Sequence, residues 1–178
     1  MCGRLSAAGR TCAGCTDQTL LRGVSVAAYY EGPVKELILA LKFRRQRAAA
    51  EAAGALVLRR AEDWPALDMV TSVPVSPARH RERGYNQSEL VAQVVACRLG
   101  LPYSALLGRL GSDHQLGAGR QERLRQVTGA FFAKRRLAGS RVLLIDDVVT
   151  TGATLAECAR ALEVAGAGAL WGAVVARH

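Results

Sequence analysis

Residues 142–154, Val-Leu-Leu-Ile-Asp-Asp-Val-Val-Thr-Thr-Gly-Ala-Thr, leave the chain little choice of fold. Val142, Leu143, Leu144 and Ile145 are apolar without alternation, the pattern of a parallel strand covered on both faces. Asp146 and Asp147 follow where that strand is predicted to end. After a Thr150-Thr151-Gly152 turn, Leu155, Cys158, Ala159 and Leu162 recur at i, i+3, i+4 and i+7, one face of a helix. Strand, turn and helix in that order build an open α/β sheet, whose ligands collect at the carboxyl ends of its strands.

The same segment specifies a chemistry. A helix's first turn carries unpaired N–H groups and the positive end of its dipole, so an anion is favoured there. Gly152 lets the backbone approach a ligand closely, and Thr150, Thr151 and Thr154 add hydroxyl donors. A strand and a helix capped by Thr151 would account for Thr151 and Gly152 alone. They would not account for two adjacent acids beside an anion site, since a buried carboxylate needs a partner. The combination suits a sugar phosphate, with the acids accepting hydrogen bonds from a diol. A Walker A loop lacks its Gly-Lys-Ser/Thr here, and Gly117-Ala118-Gly119 has no third Gly at dinucleotide spacing.

Elsewhere the periodicity predicts a strand at 24–30 and an amphipathic helix carrying Val34, Leu37, Ile38 and Leu41. An Ala-rich helix follows over 48–62, then a strand at 69–75 interrupted by Pro74. Residues 76–84 read as a basic loop. Leu90, Val91, Val94, Val95 and Leu99 mark a helix closed by Gly100 and Pro102, and a short strand falls near 104–108. Residues 111–125 are Gly-rich and charged without periodicity, which suggests a mobile loop. A last buried strand covers 170–176. Alternating strands and helices imply α/β architecture, a doubly wound and mainly parallel sheet. We divide the chain into a Cys-containing appendage, 1–23, and one domain, 24–178.

The 178 residues carry 24 Lys and Arg against 15 Asp and Glu, a formal charge of +9. The cations cluster at Lys42–Arg47, Arg79–Arg83, Arg120–Arg125 and Lys134–Arg136, which points to polyanionic ligands, either a pyrophosphate-bearing metabolite or nucleic acid. No apolar stretch reaches membrane-spanning length and the N-terminus has no signal-peptide core, so membrane insertion is not expected and cytoplasm is the default. Cys97 and Cys158 fall on apolar helix faces and are expected to be buried. Cys12-Ala13-Gly14-Cys15 has zinc-knuckle spacing, with Cys2 as a nearby third ligand. A structural zinc site needs a fourth, so Zn²⁺ and reduced thiols both stay open.

Val73-Pro-Val-Ser-Pro-Ala-Arg-His-Arg-Glu-Arg-Gly-Tyr-Asn-Gln-Ser is the second informative stretch. A strand running into Ser76, Arg79, Arg81 and Arg83 suits a pyrophosphate, because Arg presents planar forks to phosphate oxygens. If its strand lies beside 142–145, these arginines face the same crevice as Asp146 and Asp147. Asn86 or Ser88 could cap the next helix. His80, flanked by arginines, reads as a solvated side chain.

The 142–154 segment resembles the phosphoribosyl-pyrophosphate motif of type I phosphoribosyltransferases. Arg-Glu-Arg-Gly-Tyr-Asn-Gln after Val-Pro-Val-Ser is similar to the ComF family, tied to DNA uptake in natural competence. Lys42-Phe43 after Ile-Leu-Ala-Leu, Gln115 followed by Glu122-Arg123, and Gly129-Ala130-Phe131 match as well. The resemblance implies a type I phosphoribosyltransferase fold binding phosphoribosyl pyrophosphate with Mg²⁺ and releasing pyrophosphate. Asp146 and Asp147 would hold the ribose hydroxyls as the catalytic pair. Val148, Val149, Thr150, Thr151, Gly152, Ala153 and Thr154 would cradle the 5′-phosphate, and Ser76, Arg79, Arg81 and Arg83 the pyrophosphate. Gln115, Arg120 and Arg123 would ride on a closing loop, and 24–62 would form a hood.

ComF proteins commonly begin with a zinc ribbon of two C-x2-C pairs. This chain opens at Cys2-Gly3, so either a start lies upstream or the site has decayed. Gln126-Val-Thr stands where the family often has Asn before Gly-Ala-Phe, which leaves the precise role of the closing loop open. A second expectation is a binding module: a non-catalytic sensor of the donor, or a partner of single-stranded DNA or competence proteins, with Tyr30, Phe43 or Tyr85 stacking bases.

Overall fold

Val142, Leu143, Leu144 and Ile145 are each fully buried, and they alternate between the two faces of a parallel sheet. Leu143 and Ile145 join one apolar core, Val142 and Leu144 the other. The unbroken apolar run therefore serves a strand covered on both sides. The computed structural model describes residues 20–43, 47–110 and 128–178. Cys2, Cys12 and Cys15, and Gln115, Arg120 and Arg123, lie outside the described residues, as does nearly all of the 1–23 appendage.

Along the chain run β1 (Gly23–Tyr29), α1 (Gly32–Phe43), α2 (Arg47–Leu58), a 3-10 turn (Ala61–Asp63) and β2 (Met69–Ser72). Then come α3 (Pro77–Arg83), α4 (Gln87–Leu99), β3 (Leu107–Arg109), β4 (Phe131–Ala133), β5 (Arg141–Val149), α5 (Ala153–Val164) and β6 (Ala169–Arg177). The main sheet has the order β1-β6-β5-β2, with every pairing parallel. Tyr103 adds an isolated parallel bridge to Val70. β3 and β4 form a separate antiparallel pair.

Helices cover both faces, as an open α/β sheet requires. On one face α1, α2 and α4 bring Ile38, Leu41, Ala53, Val57, Val91 and Val95 onto Leu143, Ile145 and Val175. On the other, Leu155, Cys158, Ala159 and Leu162 of α5 meet Leu144, Leu170 and Val174, together with Leu107 and Phe131 of the small pair.

Three expectations change. Asp146 and Asp147 lie within β5, not beyond it, because β6 is equally long and pairs on past them to Val149. The basic 76–84 loop is largely helical. Ser76 Oγ accepts the Arg79 N–H at 3.4 Å, Pro77 opens α3, and Gly84 closes it at φ 77°, a conformation glycine adopts without strain. Cys97 is exposed, since the buried stripe of α4 runs through Ser88, Val91, Ala92, Val95 and Ala96 and leaves it outside.

Candidate functional site

The sheet order fixes what gathers at the carboxyl edge. β5 is flanked by β6 and then β1 on one side, and by β2 on the other. A cavity of about 340 Å³ opens there, with Asp146 and Asp147 in its floor. Val73, Pro74, Val75 and Arg79, which follow β2, line one wall, and Tyr30 and His178, which follow β1 and β6, line the opposite one. Thr150 and Thr154 stand ahead of β5, at the start of α5.

Both acids are buried and both are held. Asp146 Oδ1 accepts Ser88 Oγ–H at 2.9 Å and the Asp147 N–H at 2.8 Å. Asp147 Oδ2 accepts Gln87 Nε2–H at 3.1 Å and lies 3.1 Å from Lys42 Nζ, while its Oδ1 accepts the Val148 N–H at 2.7 Å. Burial first, and the adjoining Asp147 charge second, push the Asp146 carboxyl up to about 7. A hydroxyl donor or a cation arriving beside the pair would relieve that repulsion.

Gly152 sits at the N-terminus of α5 with φ 78° and has no side chain of its own to cap it. Thr151 Oγ1 instead accepts the Ala153 N–H at 3.3 Å. Val148, Thr150 and Thr154 line the cavity; Val148 and Val149 are also still paired in the ladder, opposite Ala176 and Arg177.

Of the residues expected to hold pyrophosphate, Arg79 lines the cavity. Ser76 is buried as the cap of α3. Arg83 donates to Gln87 Oε1 at 3.1 Å and lies over the exposed Phe43 ring, 5.3 Å from its centroid. Arg81 is exposed and is not in the cavity wall. Of the two capping candidates, Asn86 is the one that caps. Asn86 caps α4 by accepting the Ser88 N–H at 3.1 Å, whereas Gln87 and Ser88 hold the acids.

Sequence reasoning passed over Lys42, Ser88, Arg109 and His178 as site residues, and reached Tyr30 only as a ring that could stack a base. Lys42 was visible only as one member of a basic run. Tyr30 and His178 each follow a parallel strand, and that position at the ligand edge was the available signal. Arg109 had none. It ends β3, lies over the Phe131 ring at 5.2 Å, and reaches the cavity beside Arg79 and Asp146. Burial, then the Arg79 charge, pulls its guanidinium below the usual value.

The donor set suits magnesium better than a fully protein-held ion. Among the described residues no three His, Cys, Asp or Glu side chains converge. Mg²⁺ takes one or two carboxylates and fills its octahedron with water and phosphate oxygens. Asp146 and Asp147, buried with their charges crowded together, offer that pair.

A parallel sheet with paired acids and a glycine turn at its carboxyl edge defines a phosphoribosyl transferase domain, and that family matches residues 78–178. The chain is 37% identical over 151 residues to the DNA utilization protein YhgH of Salmonella typhi, covering 79% of this chain and 65% of that one. It is 35% identical over 95 residues to the competence protein ComFC of Streptococcus pneumoniae, covering 53% and 41%. In fold it is similar to a glutamine phosphoribosylpyrophosphate amidotransferase from B. subtilis, with a TM-score of 0.52, 23% identity and coverage of 72% of this chain and 26% of that one. The chain belongs to the ComF family of phosphoribosyl transferase-domain proteins. It spans just under two thirds of the length of the YhgH relative. Among the described residues no helix is long and apolar enough to cross a membrane.

Proposed function

We propose that the cavity binds phosphoribosyl pyrophosphate with Mg²⁺ and transfers the phosphoribosyl group to an acceptor, releasing pyrophosphate. The observation that carries this reading is the buried Asp146–Asp147 pair in the same cavity as Thr150 and Thr154 at the N-terminus of α5. The acids accept the ribose 2′ and 3′ hydroxyls and favour positive charge as it develops on the sugar. The first turn of α5 and its threonines receive the 5′-phosphate. Arg79, on the β2 side, and Arg109 face the pyrophosphate. Magnesium, when bound with the donor, neutralises charge on the departing pyrophosphate. Gln87 and Lys42 fix the Asp147 carboxylate, and Ser88 that of Asp146, before the donor arrives. Similarity to proteins named for competence and DNA utilization supports a role connected with DNA uptake.

The test is pyrophosphate release when the donor, Mg²⁺ and a panel of bases and nucleosides are mixed with the protein. Release that depends on an acceptor supports an enzyme. Donor binding with silence across the panel favours a sensor.

Single-stranded DNA binding is a second reading, favoured by one surface. A groove of about 520 Å³ between β4 and α5 is rimmed by Lys134, Arg135, Arg136 and Arg160, with Phe132 44% exposed in its lining. Cations that track phosphates beside a ring that can stack a base suit a single strand. Its affinity should then fall steeply with salt, and a flat salt response would remove this reading.

A further inference from the structure

Resting on the donor reading above, we infer that Phe43, Arg83 and Tyr85 are positioning residues. They lock the end of α1 onto the start of α4 and so hold Lys42 and Gln87 on Asp147. Two short stretches of chain, residues 41–43 and 83–87, interlock there. Tyr85 donates its hydroxyl to Leu41 O. The Arg83 guanidinium lies over the Phe43 ring, 5.3 Å from its centroid. Between these contacts, Lys42 Nζ and Gln87 Nε2 each meet Asp147 Oδ2 at 3.1 Å. Lys42 and Gln87 line the cavity, whereas Phe43, Arg83 and Tyr85 stand behind them, outside its lining.

Each contact answers a local need. The last four carbonyls of a helix have no partner within it, and α1 ends at Phe43. Leu41 is buried, so the Tyr85 hydroxyl serves a carbonyl shielded from water. Phe43 is otherwise an exposed ring, and the guanidinium above it holds it in place. Lys42 sits between these two anchored residues. Its stem is long and flexible, and the fixed backbone on either side limits where the ammonium can reach.

Arg83 also sets the Gln87 amide. Its Nη1 donates to Gln87 Oε1 at 3.1 Å. A guanidinium only donates and a carboxylate only accepts, so an amide between them satisfies both in a single orientation. Oxygen faces Arg83 and nitrogen faces Asp147. Without Arg83 the amide is free to turn over and bring its oxygen against the carboxylate. The interlock therefore gives Asp147 one geometry in advance, which lowers the cost of binding a ribose there.

The experiment is calorimetry on the wild type, Arg83→Ala, Gln87→Ala and the double variant. Each is titrated with phosphoribosyl pyrophosphate and Mg²⁺ and, separately, with ribose 5-phosphate. Each single variant should weaken donor binding by about tenfold, the worth of one hydrogen bond to a charged group. Because Arg83 acts through Gln87, the double variant should fall well short of the roughly hundredfold loss that independent effects would give. Ribose 5-phosphate, which carries no pyrophosphate, should lose the same factor as the donor on Arg83→Ala. Phe43→Leu removes an exposed ring and carries the test should Arg83→Ala fail to fold. It should weaken donor binding by about threefold, and should weaken it no further in a chain that already carries Lys42→Met. Multiplying losses, a loss confined to the pyrophosphate-bearing ligand, or unchanged donor affinity in Arg83→Ala and Phe43→Leu overturns the inference and leaves the donor reading standing. Absence of donor binding by the wild type removes both.

Discussion

Lys42 Nζ and Gln87 Nε2 meet the same atom, Asp147 Oδ2, each at 3.1 Å. The carboxylate proposed to receive the ribose is thus already balanced by a cation and an amide donor, from α1 and α4 respectively. The Lys42 side chain is 22% exposed and that of Asp147 9%, so this is a mostly desolvated pair and not a surface one. Removing one partner leaves the other charge buried without compensation. A double-mutant cycle of Lys42→Met and Asp147→Asn, read by urea denaturation, should give a coupling of about 1–3 kcal/mol. Additive effects within about 0.5 kcal/mol would show the contact to be energetically idle.

Asp146 makes a pH prediction. Its folded value is raised to about 7 from an ordinary 3.8, so between those values the folded state binds the extra proton. Its contribution to stability is therefore fully present below pH 3.8 and is lost as pH rises through about 7, with a flat response above. The denaturation midpoint of Asp146→Asn should lack this decline. A wild type and variant with parallel pH profiles from 4 to 8 would contradict the assignment.

Arg109 couples the small β pair to the cavity through its ring contact with Phe131. A charged hydrogen bond to phosphate contributes about 1.5–3 kcal/mol, so Arg109→Ala should weaken donor binding by about tenfold or more. Arg109→Lys should recover only part of this, because the ammonium has no planar fork to stack or to pair bidentately. Calorimetry on the two variants measures it, and full recovery by Lys would reduce the residue's role to charge alone.

Gly54 tests the helical layer. A Cβ there would lie 2.5 Å from Val94 Cγ1 and 2.9 Å from Val94 Cβ, where α2 crosses α4. Alanine gains about 1 kcal/mol of helix propensity over glycine, but the β-branched Val94 cannot turn its Cβ away. Overpacking costs about 1–3 kcal/mol. Gly54→Ala should therefore lower the thermal midpoint, and a rise would mean that the crossing relaxes freely.

The apolar run at 142–145 and its acids were legible because a strand buried on two faces needs that composition, and a diol beside a phosphate needs that turn. The end of β5 was not, since its length is set by pairing with β6 and not by its own residues. Ser76, Pro77 and Gly84 carried the start and stop signals of α3, yet seven residues without an apolar stripe gave no periodicity to connect them. Lys42, Gln87 and Ser88 converge on the acids across 105, 60 and 58 positions of the chain, and nothing local to any of them announces that meeting. Strand order brings them together.

The most direct measurement is calorimetric titration of phosphoribosyl pyrophosphate with Mg²⁺ into the wild type and into a chain carrying Asp146→Asn and Asp147→Asn. We predict saturable, magnesium-dependent binding to the wild type and a loss of at least about a hundredfold in the variant, since two charge-assisted contacts are removed. Equal binding by both, or none by the wild type at saturating donor and metal, would contradict the account.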